Sequence, residues 1–126
     1  MTRILSIAIL LTALALPGVS FAAGDAAAGK ANFGACVACH GEGGKGDGPT
    51  GKALAAAGQP TPRDFTVGDF KFGTNKDGEV GTDQDLHDVI KNGAATYGGN
   101  PLMAPNPALS DAQIADLIAF IRSLKQ

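Results

Sequence analysis

The chain is short of the side chains that bind metals or carry out redox chemistry: its 126 residues include two cysteines, two histidines and two methionines. A closed zinc site normally takes four ligands, and beyond Cys36, Cys39 and His40 only His87 remains as a soft donor. Basic residues are few as well, ten Lys and Arg against twelve Asp and Glu. None of them form a patch interleaved with aromatics, which argues against nucleic acid as a partner. No stretch alternates polar and apolar residues over a useful length, and no internal repeat occurs, so neither a sheet nor a solenoid is expected. The one long apolar run, Ile4 through Leu16, is too short to span a bilayer comfortably.

That run has the layout of an export signal. Arg3 precedes it, Pro17 and Gly18 break it, and Ser20-Phe21-Ala22 offers small residues where a signal peptidase reads. Residues 1–22 are expected to be a cleaved signal peptide and residues 23–126 a single domain without a stable membrane anchor. Cleavage one residue later and a retained anchor helix are the alternatives. Without Arg3 the balance is nine Lys and Arg against twelve Asp and Glu, a net charge of −3. A core of this size is marginal and gains from a metal or cofactor.

Cys36-Val37-Ala38-Cys39-His40 supplies a means of holding one. C-x-x-C-H is the spacing at which two thiols attach one haem and the next imidazole reaches its iron. Cysteines three positions apart share a helical face, so the motif asks for a helix. A thioredoxin-like motif would instead follow a strand, and here the upstream segment is rich in alanine. In an oxidising, exported setting a lone C-x-x-C is a disulfide or a haem anchor.

The rest of the chain reads as helices and loops. Gly24 to Phe33 starts a helix with Asp25 as N-cap, and Gly29 inside it suggests close approach of another helix. From Gly41 to Gly81 the chain is rich in Gly and Pro, with a short helix at Thr50 to Ala57. Leu54, Phe65, Phe70 and Phe72 mark this stretch as a wrap around something rather than a disordered linker. Thr82 caps a helix to Asn92 that Gly93 stops, with Leu86, Val89 and Ile90 as its apolar stripe and Asp83 and Asp85 at its positive end. His87 falls on the polar side and is expected at the surface. The last helix has Ser110 as N-cap and Gln113 closing a capping box. Ile114, Leu117, Ile118 and Ile121 form its stripe, and Arg122 and Lys125 lie near its negative end.

Apart from Met1 the chain has one methionine, Met103, in a Pro- and Gly-rich loop before the last helix. Methionine is often core filler, but a thioether there can be swung over the face of a haem held far upstream. His and Met ligation leaves no open iron position and suits an electron carrier. An iron left open by Met103 would instead bind peroxide or a small gas, and His87 is the alternative second ligand.

Together, Gly29 and Phe33, the C-x-x-C-H, a downstream Gly-Asp-Gly-Pro, the late Met103, and a terminal Leu-Ser-Asp-Ala-Gln-Ile helix with Phe120 resemble a class I cytochrome c. The resemblance implies an all-α fold of about four short helices and long loops wrapped around one covalent haem c. In it the first and last helices cross, with Gly29 and Phe33 meeting Phe120. It implies Cys36 and Cys39 as haem anchors, His40 as proximal and Met103 as distal iron ligand, and the Pro49 carbonyl as acceptor of the His40 Nδ1 proton. The expected function is that of a periplasmic, monomeric one-electron carrier and not an enzyme, serving redox protein partners such as a dehydrogenase, oxidase or reductase complex. A dedicated subunit of one such complex is the remaining alternative.

Overall fold

A computed structural model of the chain describes residues 23–126, so the expected signal peptide lies outside the described residues. Those residues form α-helices and 3-10 turns joined by long loops, with no strand among them. Helix α1 (Ala26–Asn32) runs through a 3-10 turn (Phe33–Cys36) into the short α2 (Val37–His40). Helix α3 (Pro49–Ala56) follows, then α4 (Asp83–Asn92), a second 3-10 turn (Ala94–Tyr97) and α5 (Asp111–Ser123). Counting the continuous run from Ala26 to His40 as one body, this is the all-α fold of about four helices. None of the described helices is long and apolar enough to cross a membrane.

The caps explain the helix boundaries. Asp25 Oδ1 accepts from the amides of Ala27 and Ala28 at 2.7 and 3.2 Å, starting α1. Reciprocal capping boxes start the two longest helices, Thr82 with Asp85 on α4 and Ser110 with Gln113 on α5. Each satisfies amide donors that the first helical turn leaves open.

Helices α1 and α5 cross at a point of backbone contact. A Cβ built on Gly29 would lie 1.9 Å from the Asp116 carbonyl oxygen and 2.9 Å from Phe120 Cβ. One turn earlier, the Asp25 amide donates to Asp116 Oδ1 at 2.7 Å. Phe33 meets Phe120 edge to face, ring centroids 5.1 Å apart. Around this crossing Phe65, Leu86, Ile90, Ile114, Leu117, Ile118 and Ile121 complete the buried core.

Helix α4 is tied to both ends of α5 by polar contacts that the sequence does not announce. Arg122 of α5 donates from Nε and Nη2 to Asp83 Oδ1 at 3.0 and 2.8 Å and from Nη2 to the Gly81 carbonyl at 2.6 Å. Its guanidinium also lies 4.9 Å from the Phe70 ring centre. His87, expected in solvent, has only 13% of its side chain exposed, because the start of α5 lands beside it. Its Nδ1 is 3.2 Å from Asp88 Oδ1 and its Nε2 is 3.3 Å from Asp111 Oδ1.

Asp85 is almost completely buried, at 1% exposure. Thr74 donates to its Oδ1 from the amide at 2.6 Å and the hydroxyl at 2.9 Å, and Thr82 donates to Oδ2 from the amide at 2.9 Å and the hydroxyl at 2.8 Å. The Thr74 hydroxyl also lies 2.7 Å from Asp88 Oδ2, and its one proton serves one carboxylate at a time. Burial by itself raises the Asp85 pKa, but these hydrogen bonds outweigh it and hold the carboxyl at about 2. A carboxylate depressed in the folded state stabilises above its unfolded pKa, and the contribution fades as pH falls through the folded value. For Asp85 this is about 2 kcal/mol, full above about pH 4 and lost toward pH 2. Urea unfolding of wild type and Asp85→Asn across that window should show their stability difference shrinking by about that amount. A difference that does not change with pH contradicts this account of Asp85.

Candidate haem site

The attachment motif occupies one turn. Cys36 ends the 3-10 segment, Cys39 and His40 lie in α2, and Gly41 stops the helix with its amide on the Val37 carbonyl at 2.8 Å. Both cysteines are free thiols and partly buried. Burial, and secondarily the neighbouring Cys39, pushes the Cys36 thiol pKa up. His40 is buried, and burial lowers its imidazole pKa against a smaller opposing effect of the Arg63 backbone. Its ring stacks on Phe65, with centroids 4.6 Å apart and planes at 18°. Phe65 in turn packs against Phe33 and so ties the motif to the helix crossing.

A proline-led helix backs this turn. The His40 carbonyl accepts from the Gly46 amide at 2.8 Å and the Cys39 carbonyl from the Gly48 amide at 3.3 Å. A Cβ on Gly51 would sit 2.2 Å from the Gly46 oxygen and 2.5 Å from the Cys39 oxygen. Glycine at 51 therefore lets α3 lie directly against the motif's backbone. The sequence signal was available in glycines three apart on either side of Pro49, on one face of the new helix.

The hydrogen bond expected from His40 Nδ1 to the Pro49 carbonyl is not made. Nδ1 is buried and has no hydrogen-bond partner, and Pro49 stands at the first position of α3, where its carbonyl is directed to the helix's own amide ladder. Arg63 is exposed and borders an open polar cleft with Lys45, Thr61 and Asp64.

Met103 packs against the same apolar core that Phe65 joins, and Cys36 and Val37 border that core too. The Met103 carbonyl accepts from the Ala94 amide at 3.0 Å, just beyond the end of α4. Beside this loop a cleft of about 400 Å³ opens between Leu54 and Pro60 on one side and residues 98–102 on the other. The Asn100 side-chain amide crosses to the Pro60 carbonyl at 3.0 Å. Leu102 stands exposed at its rim. Thus the fold brings Cys36, His40 and Met103 around one core, with Cys39 on the same turn as His40. It sets His87 apart, between carboxylates.

An all-helical wrap with two free thiols and a buried histidine on one turn defines a protein that holds a haem covalently. The chain belongs to the cytochrome c family, whose pattern it matches over residues 26–125. It is 36% identical over 116 residues to a protein described as cytochrome c4 from Pseudomonas aeruginosa, which covers 92% of this chain and 46% of that protein. It also resembles a solved chain of the Kuenenia stuttgartiensis reducing HAO-like protein complex Kustc0457/Kustc0458, with a TM-score of 0.65 and 30% identity over 85% of this chain and 46% of that one. The chain thus spans about half the length of each of these relatives. Family membership brings covalent haem c with its iron, and electron transfer is the family's work.

The residues present fit that group. His40 is a buried imidazole that burial keeps neutral, the form that ligates a haem iron. The thiols beside it are free and not paired in a disulfide.

Proposed function

We propose that the protein is a periplasmic monohaem electron carrier in which Cys36 and Cys39 anchor the haem and His40 and Met103 are its axial ligands. The observation that carries this reading is the buried His40 imidazole on the same turn as two free cysteines. So held, the haem supplies a one-electron iron couple whose potential the thioether ligand raises.

The chain's own residues do the rest. Phe65 fixes the His40 ring by stacking, and Phe33 and Phe120 fix Phe65's side of the core. Apolar packing by Ile90 and Phe65 keeps water from the site and disfavours the more highly charged oxidised state. With both axial positions taken by protein groups no substrate site is left, so the protein is not an enzyme. Residues 1–22 direct export and are removed, and residues 23–126 form a monomeric domain. Donor and acceptor are redox proteins, of the dehydrogenase, oxidase or reductase kind, met in small transient contacts. The net negative charge favours partners with basic surfaces.

The test is the absorption spectrum of protein made in a host competent for haem attachment. A low-spin spectrum with the weak sulfur-to-iron charge-transfer band in the red is expected. A high-spin spectrum that shifts on adding carbon monoxide would replace the carrier with an open-iron protein. Both ring nitrogens of His87 lie within 3.3 Å of carboxylates, so His87→Ala should leave the spectrum unchanged. Loss of the low-spin form in that variant would point to bis-histidine ligation.

A further inference from the structure

The loop that carries Met103 has little packing of its own. Pro101, Leu102, Ala104, Pro105, Pro107 and Ala108 are all exposed. What seats it is the C-terminal end of α4, where the last carbonyls of a helix lack intrahelical donors. The Ala94 amide takes the Met103 carbonyl at 3.0 Å. On the return side Lys91 contributes twice. Its carbonyl accepts from the Asn106 amide at 3.1 Å, and its Nζ donates to the Leu109 carbonyl at 2.5 Å. The ammonium also lies 3.8 Å from Asp111 Oδ1, and its side chain is only 29% exposed. An exposed lysine ordinarily stays in water, whereas this one crosses to a loop carbonyl 18 positions away. Hydrogen bonds from a charged donor are about twice as strong as neutral ones.

We propose that Lys91 is a positioning residue for the axial thioether: by fastening residues 106–109 to α4 it holds the Met103 loop closed on its seat. The inference rests on Met103 being the second iron ligand, and the experiment separates the two claims. Holoprotein is prepared as wild type, Lys91→Met, Lys91→Arg and Asp116→Ala. The first variant removes the ammonium but keeps a stem, and the second keeps a charged donor. The third loosens the α1–α5 contact away from the loop.

If wild-type ferric protein lacks the red charge-transfer band, Met103 is not the ligand and the proposal falls with that reading. With the band present, Lys91 is tested alone. Imidazole binds the ferric form by displacing the thioether, so its affinity reports how firmly the loop is held. Lys91→Met should bind imidazole about tenfold more tightly, as loss of a charge-assisted hydrogen bond implies. Lys91→Arg and Asp116→Ala should stay near wild type. Hydrogen exchange at the Ala94 amide, a readout independent of the iron, should quicken about tenfold in Lys91→Met. Unchanged affinity and exchange in Lys91→Met overturn the proposal, and so does an equal rise in Asp116→Ala, which would mean generic loosening. Should Lys91→Met fail to accumulate, Lys91→Gln, too short to span the same gap, carries the same expectation and the same refutation.

Discussion

Replacing Met103 with alanine is expected to convert a closed, low-spin iron into an open one without unfolding the protein. The side chain is partly buried and the loop is seated through backbone atoms, the Met103 carbonyl on the Ala94 amide and the Asn106 amide on the Lys91 carbonyl. Those contacts survive the substitution. Full burial would put the stability cost of Met to Ala at about 2–5 kcal/mol, and partial burial lowers it. With Met103 as the proposed distal ligand, the substitution should remove the thioether from the iron, so that the red charge-transfer band disappears and carbon monoxide binds to the reduced form. The reduction potential should fall on the order of 0.1 V, a modest part of the ~0.8 V range that axial ligands command. Spectra with and without carbon monoxide, alongside a potentiometric titration, measure all three. A low-spin, carbon monoxide-inert Met103→Ala protein would remove Met103 from the site.

Valine at Gly29 should cause the largest loss of stability. The helices touch there through backbone, with an added Cβ falling 1.9 Å from the Asp116 oxygen and so well inside any allowed contact. Neither partner is the flexible end of a side chain, so α1 and α5 must move apart as whole helices. Separation also disturbs the Phe33–Phe120 pair and the Asp25 to Asp116 hydrogen bond. Overpacking of this kind costs about 3 kcal/mol or more. At about 4–8 °C per kcal/mol for a domain of this size, the thermal midpoint should drop by about 12–24 °C. Gly29→Ala should lie between, because it adds the clashing atom alone. Equal melting of Gly29→Val and wild type would show that the crossing is looser than described.

What could be read from the sequence was local, and what could not was contact between distant segments. Asp25, Thr82 and Ser110 cap helices through neighbours two or three residues away, so spacing alone revealed them. The pairing of Gly29 and Phe33 with Phe120 followed from the family resemblance. Asp85 was legible only as an acid near a helix start, since Thr74, which gives it two of its hydrogen bonds, lies eleven residues upstream in a loop. Arg122 read as a charge suiting the end of its own helix, yet it serves Asp83 and Gly81 some forty residues back. His87 was placed on the polar face of α4, and the arrival of Asp111 turned that face into a contact. The C-x-x-C-H turn is legible in five consecutive residues. A bond to Pro49 is not, because it depends on where α3 settles against that turn.

The crossing of α1 with α5 has a consequence for the order in which the molecule assembles. The Asp25 to Asp116 hydrogen bond joins residues 91 positions apart, so its formation closes almost the whole domain into one loop. Closing a loop that long costs about 4 kcal/mol of chain entropy from its length alone, and neither helix is long enough to be stable in isolation. Helix α1 therefore gains its main packing partner only once α5 has been made and docks on it.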